Sequence, residues 1–296
     1  MAVERVGMVA PWRWLQQSVA LLRRQPRAIA GGAALLVAIG LLPSMLQLLL
    51  LQAMPAQAGP IQALSFVLSL LVYPPAVGGY FRLLHAADGN ASPQPGAVFA
   101  GFSDGALARR MVILNVLFVS LSLLAITGLA YTPGGEALAE FGRALATLQP
   151  GATALPPFPA GALPPLLAML LVGVVLVSAQ GLANAQAALR ECAPLPALAA
   201  AFSAVWRNLG ALLLCYLPLS LLVFLVGMLV ALAVVLVSLL LGAVLGKAAA
   251  GGIVLLLGVL VAIGLYALLF GFFYYGWREL FDSAPAPPPM PHQIAA

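Results

Sequence analysis

Six long apolar stretches, at about 28–51, 61–84, 110–130, 163–188, 209–241 and 251–274, constrain this chain more than any other feature. A helix crosses the hydrocarbon core of a bilayer with about 20 apolar residues. Backbone polar groups in lipid must be satisfied within the segment, so these stretches are helices. Barrel strands would alternate polar and apolar residues, and these runs do not. The expected fold is an all-α membrane protein with six transmembrane helices and amphipathic interfacial helices. Composition agrees: 63% of residues are hydrophobic, 7% are charged, and the mean hydropathy is +1.08. Soluble domains carry about a quarter charged residues.

Charge orients the bundle. Eleven of the thirteen Lys and Arg residues fall in connectors that would share one face of the membrane. Arg5, Arg13, Arg23, Arg24 and Arg27 precede the first span. Arg82, Arg109 and Arg110 flank the second connector, Arg190 and Arg207 the fourth, and Arg278 follows the sixth span. Only Arg143 and Lys247 fall on the other face. The positive-inside rule then puts both termini in the cytoplasm, as an even number of spans requires. The excess charge is topogenic, so a nucleic-acid partner is not expected; the partner is the lipid bilayer. Protein partners and a homo-oligomer stay open. Nearly all the cations are Arg, beside abundant Ala, Gly and Pro, a bias of GC-rich bacterial genes. The expected location is a bacterial inner membrane. The first span has a longer apolar run than a signal core of about 7–15 residues, so it reads as an uncleaved helix.

The chain divides into a cytoplasmic amphipathic segment (1–27), a six-helix domain (28–282) and a Pro-rich tail (283–296) expected to be disordered. Trp12, Trp14, Leu15, Val19, Leu21 and Leu22 fall on one side of a helical wheel, with Arg13, Arg23 and Arg24 opposite. This describes an interfacial helix whose Trp and Arg suit headgroups. Leu198 to Trp206-Arg207 repeats the pattern before span five, and Val98 to Arg109-Arg110 does so before span three. Phe81-Arg82 and Trp277-Arg278 close two of the even spans. A threefold repeat of interfacial helix plus helical hairpin would give this order; so would aromatic belts and topogenic Arg without repetition. Pro43, Pro74-Pro75 and Pro218 predict kinks, and Pro74-Pro75 with Gly78-Gly79 is the strongest break signal. The fifth span is too long for one upright crossing. It must tilt, bend near Pro218 or begin along the interface. In the long connector 131–162, a short amphipathic helix is expected over about 136–148, with Leu138, Phe141, Leu145 and Leu148 on one face and Glu136, Glu140, Arg143 and Thr147 on the other.

No span carries Asp, Glu, Lys, Arg or His near its centre. Intramembrane ionisable groups mark proton relays and intramembrane hydrolases. Neutral polar residues stand there instead: Asn115 in span three, and Gln180, Asn184 and Gln186 in span four, with Gln180 and Asn184 on one helix face. They could line a substrate path, or serve as interhelical hydrogen bonds. Gly101-Phe102-Ser103-Asp104-Gly105 matches the nucleophile-elbow pattern, but no strand precedes it to strain the turn. Cys192 and Cys215 form no CxxC pair, and His85 and His292 have no ligand-spaced partners. Neither an enzyme nor a cofactor is expected.

With those residues placed, the chain resembles an uncharacterised family of multi-pass proteobacterial inner-membrane proteins. That family is distantly similar to the membrane domain of some glycerophosphodiester phosphodiesterases. The resemblance rests on Trp12-Arg13-Trp14-Leu15 with Leu22-Arg23-Arg24-Gln25-Pro26, on Pro74-Pro75 with Gly78-Gly79, and on Phe99-Ala100-Gly101-Phe102. It continues in Phe202 through Trp206-Arg207-Asn208 and in Tyr275-Gly276-Trp277-Arg278-Glu279-Leu280-Phe281. It implies topology and location and assigns no activity. Two readings of function follow: a non-enzymatic structural or envelope-maintenance role, or a transporter or permease component for a small or lipid-like substrate.

Overall fold

The structure is a computed structural model that describes residues 5–132, 134–147, 156–221, 225, 227–228 and 247–281. All regular elements among the described residues are helical. α1 (Ala10–Arg24) stops at Gln25, whose backbone leaves the helical region (φ −132°, ψ 60°) before Pro26. A residue before proline is pushed out of the α region, and proline suits the first helical turn. The chain therefore breaks at Gln25 and starts α2 (Pro26–Ala53). α3 (Ala58–Asp88) follows after a short 3-10 turn. Asn90, in the left-handed region at φ 62°, turns the chain into the 3-10 segment Pro95–Phe99 and the short α4 (Ala100–Ser103). Then come α5 (Gly105–Ala130), α6 (Gly135–Ala146), α7 (Leu163–Leu189), α8 (Pro194–Arg207), α9 (Leu209–Leu221) and α10 (Lys247–Phe281).

Five of these helices are long and apolar enough to cross a membrane: α2, α3 with its 3-10 lead, α5, α7 and α10 from Leu255. α8 and α9 meet at a 79° bend and pass the same test only as a pair, which would bring the number to six. The tilt, bend or interfacial start expected of span five concerns the whole of 209–241, of which the described residues run unbroken only to Leu221. Most of 222–241 lies outside the described residues, as does the tail 283–296. The expected break at Pro74-Pro75 is absent, because α3 continues through both prolines. Both are buried against neighbours, and surrounding helices compensate for backbone groups that proline leaves unpaired.

The helices form a closed threefold pattern. α3, α7 and α10 touch one another at the centre. α2 lies between α3 and α10, and α5 lies between α7 and α3. α9 borders α7 and α10, with Tyr216 edge-on to Phe272 at 5.8 Å. Each short amphipathic element then docks on the central helix of the preceding hairpin. α4 and its 3-10 lead sit on α3, α8 sits on α7, and α1 closes the cycle on α10. Among the described residues, α1, α4 and α8 are thus each packed against a long helix of the bundle.

Glycines permit two of these dockings. A Cβ on Gly79 would meet the Val98 carbonyl oxygen at 1.9 Å, and one on Gly101 would meet that of Pro75 at 1.9 Å. On α10, Gly271 admits Ser18 and Gly276 admits the Trp14 ring. The core lies toward the Arg-rich end. Buried apolar residues run through Ala28–Ile39, Ala76–Ala87, Leu107–Phe118, Val174–Ala188 and Ala267–Phe281, apart from Ile61 and Ala162 toward the other end. The opposite halves of the long helices expose Leu, Val, Ile and Met side chains, as lipid-facing surface does.

Candidate functional site

Two polar zones interrupt the apolar bundle. The first is a cavity of about 200 Å³ among α3, α5, α7 and α10. Asn115 reaches it from α5, and Gln180 and Asn184 reach it from successive turns of α7. Three of the four sequence-derived polar residues therefore meet in one place, all half-buried, while Gln186 is buried away from the cavity. Gln180 Nε2 donates to Asn115 Oδ1 at 3.4 Å, a long bond. Among the described residues the Asn184 amide has no hydrogen-bond partner, and its polar atoms are not sealed from solvent. Gln180 lies nine residues before the end of α7 at Leu189, about 14 Å along the helix axis. That depth is within a hydrocarbon core of about 30 Å.

The cavity holds two residues that the sequence reading passed over. Tyr73 of α3 and Tyr266 of α10 line it. Tyr266, Leu269, Phe270 and Phe273 recur at helical spacing, so a wheel of span six would have placed Tyr266 on an inward face. Phe273 closes the cavity by packing on Gly181, where any Cβ would come within 2.3 Å of its ring. All the hydrogen-bonding side chains that line the cavity are uncharged: amides and phenols. They can bind a polar molecule through donors and acceptors, and they supply no counter-charge.

The second zone is the Arg-rich end, where α3, α7 and α10 finish side by side. Asp88, at the end of α3, accepts hydrogen bonds from the hydroxyls of Tyr275 at 2.8 Å and Tyr274 at 3.1 Å. Arg278 also pairs with Asp88, and Arg24 of α1 stands 3.6 Å away. The Tyr274 proton goes to Asp88, so its hydroxyl can accept from His85 Nδ1 at 3.2 Å. Glu279 receives Arg13 and the Trp14 Nε1–H, each at 2.8 Å. Trp277 Nε1 donates to Gln186 of α7 at 3.0 Å, and Arg190 lies 6.0 Å over its ring.

Asp104 caps α5 by accepting from the backbone N–H groups of Leu107 and Ala106, and pairs with Arg82 at 2.8 Å. The Leu107 N–H, then Arg82, hold its carboxyl below the usual carboxylate range. Asp104 sits inside the Gly101–Gly105 pattern and acts there as a helix cap. Ser103 Oγ donates to Ala100 O at 3.1 Å, while His85 engages Tyr274. Among the described residues no three His, Cys, Asp or Glu side chains gather where a metal ion could sit.

The expected headgroup belt divides. Trp206 is 72% exposed, and Arg13, Arg23, Arg24, Arg207 and Arg278 are at the same end with exposed side chains or backbone. Trp12 is half-buried against the core. Trp14 and Trp277 are buried at 1% and 2% exposure, so they anchor α1 and α10 within the protein rather than in lipid headgroups. A helical wheel shows an apolar face; it does not show whether lipid or protein covers it.

Compared with known proteins, the chain matches no family model, no curated protein and no solved structure.

Proposed function

We propose that this chain is a multi-pass protein of a bacterial inner membrane, with its Arg-rich end and both termini in the cytoplasm. In this reading it performs no covalent chemistry. It acts as a permease component that admits a small or lipid-like molecule to the polar cavity. The observation that carries the reading is the meeting of Asn115, Gln180 and Asn184 in one half-buried cavity at hydrocarbon depth. Polar groups in lipid are unfavourable unless satisfied, and the Asn184 amide is left for a ligand. The Arg asymmetry supports the orientation. The resemblance to proteobacterial inner-membrane proteins supports the location.

A structural or envelope-maintenance role is the second reading. It is favoured by the Gln180–Asn115 bond and by the interlocked Arg-rich end. Thiol accessibility separates the two. Asn184→Cys is introduced into a chain carrying Cys192→Ser and Cys215→Ala, and membrane vesicles are treated with a small charged thiosulfonate. The expected result is faster reaction than at Ala187→Cys, which is sealed on the same helix, or at Leu123→Cys, which faces lipid. Reaction no faster than at those two controls would discard the permease reading and leave the structural one.

A further inference from the structure

The polar cavity borders an apolar groove at Val177. A pocket of about 370 Å³ between α7 and α9 shares Val177 with the cavity. On α7, Leu166, Leu170, Gly173, Val177, Gln180 and Asn184 follow one another at three- and four-residue steps. They therefore form one stripe of the helix, apolar as far as Val177 and amide-bearing beyond it. Tyr216 and Leu217 of α9 form the facing wall. Beside the junction, the hydroxyls of Tyr216 and Ser178 are buried and face each other without reaching hydrogen-bond geometry. A hydroxyl left unmet in a dry interior is unfavourable.

We infer that the occupant of the cavity is a single-chain lipid with an uncharged head that both donates and accepts hydrogen bonds. Its head sits among the amides and its acyl chain lies in the groove. This rests on the permease reading and names the substrate class. Three observations converge. First, Asn115, Gln180, Asn184, Tyr73 and Tyr266 offer donors and acceptors but no charge, so a phosphate or carboxylate head would be desolvated without a counter-ion. Second, the groove from Leu166 to Val177 is about 16 Å long and lies in hydrocarbon, where an acyl chain is the abundant apolar occupant. Third, the polarity matches. The head site is nearer the Arg-rich end, and the groove runs away from it. A lipid of the leaflet at that end has this orientation, and here it would be drawn deeper into the bilayer.

The test uses the full chain in phosphatidylcholine nanodiscs with a trace of monoacylglycerol carrying a diazirine on its acyl chain. After irradiation, adducts are mapped by mass spectrometry. Adducts are expected on the α7 and α9 walls of the groove, and excess unlabelled monoacylglycerol should lower them about tenfold by mass action. Lysophosphatidylglycerol and fatty-acid anions of equal chain length should not. Gly173→Trp should suppress the adducts. An added Cβ there meets nothing within 4 Å, so the larger side chain starts into open space on the groove wall. Adducts spread over all lipid-facing helices, or competition by the anionic lipids as strong as by monoacylglycerol, would overturn the inference. If Asn184→Cys still reacts in the thiol experiment, only the substrate class has failed. If that reaction is lost as well, the permease reading fails with it.

Discussion

At the scale of single residues, backbone contact governs this molecule. α4 docks on α3 because neither Gly79 nor Gly101 has a side chain, and the atoms in the way are backbone carbonyls that cannot rotate aside. Overpacking a tight contact typically costs about 1–3 kcal/mol and sometimes more. Gly79→Ala or Gly101→Ala should reach the upper part of that range, read as a lower melting temperature of the detergent-solubilised protein. Gly173→Ala, where space is open, should leave it unchanged. Asp104 gives a pH-dependent counterpart. Its carboxyl ionises below the usual range, so the cap and the Arg82 pair are fully present above the ordinary carboxylate value of about 3.9. They are lost as pH falls through the lowered value. The melting temperature of Asp104→Asn should lie below that of the parent protein at neutral pH, and the gap should close in acid. The glycines and Asp104 stand out in the sequence, but their partners lie in other elements. Gly78-Gly79 therefore reads as a break signal, and Gly101–Gly105 as a turn, until the fold brings α3 and α4 together.

At the scale of elements, the amphipathic helices are docking elements. α1 places Trp14 against Gly276 and Phe272 of α10, at a ring separation of 5.5 Å from Phe272, and ties its indole N–H to Glu279. Removing a fully buried large aromatic typically costs about 3–5 kcal/mol. Trp14→Ala should lose that much in thermal or denaturant unfolding, whereas Trp206→Ala, at an exposed ring, should lose little. Trp277→Phe keeps most of the ring and removes the donor to buried Gln186. It should cost about 1–3 kcal/mol and weaken the α7–α10 contact. The hydrophobic periodicity made most spans legible, because a run of about 20 apolar residues has few alternative structures. It located α6 as well, over about 136–148 against an observed Gly135–Ala146. The docking of α1, α4 and α8 was not legible. Wheel patterns for lipid-facing and protein-facing helices are alike, and the difference lies in a distant helix such as α10.

At the scale of the whole molecule, α3, α7 and α10 touch one another, and the polar cavity lies where they meet α5. Asn115, Gln180 and Asn184 were legible as candidates because amides are rare in apolar spans. Their meeting depends on the α5–α7 register, and the contributions of Tyr73 and Tyr266 depend on the contact of α3 with α10, which no local pattern encodes. In the proposed topology α5 carries the chain across the bilayer, with the Arg-rich end inside the cell and α6 outside. Ser92 and Glu140 are exposed on opposite sides of that helix. The most direct measurement labels Ser92→Cys and Glu140→Cys, each in a chain carrying Cys192→Ser and Cys215→Ala, with a membrane-impermeant maleimide. Glu140→Cys should react in intact spheroplasts, and Ser92→Cys only after permeabilisation. Reaction of both positions from the same side, or the reverse assignment, would contradict the account.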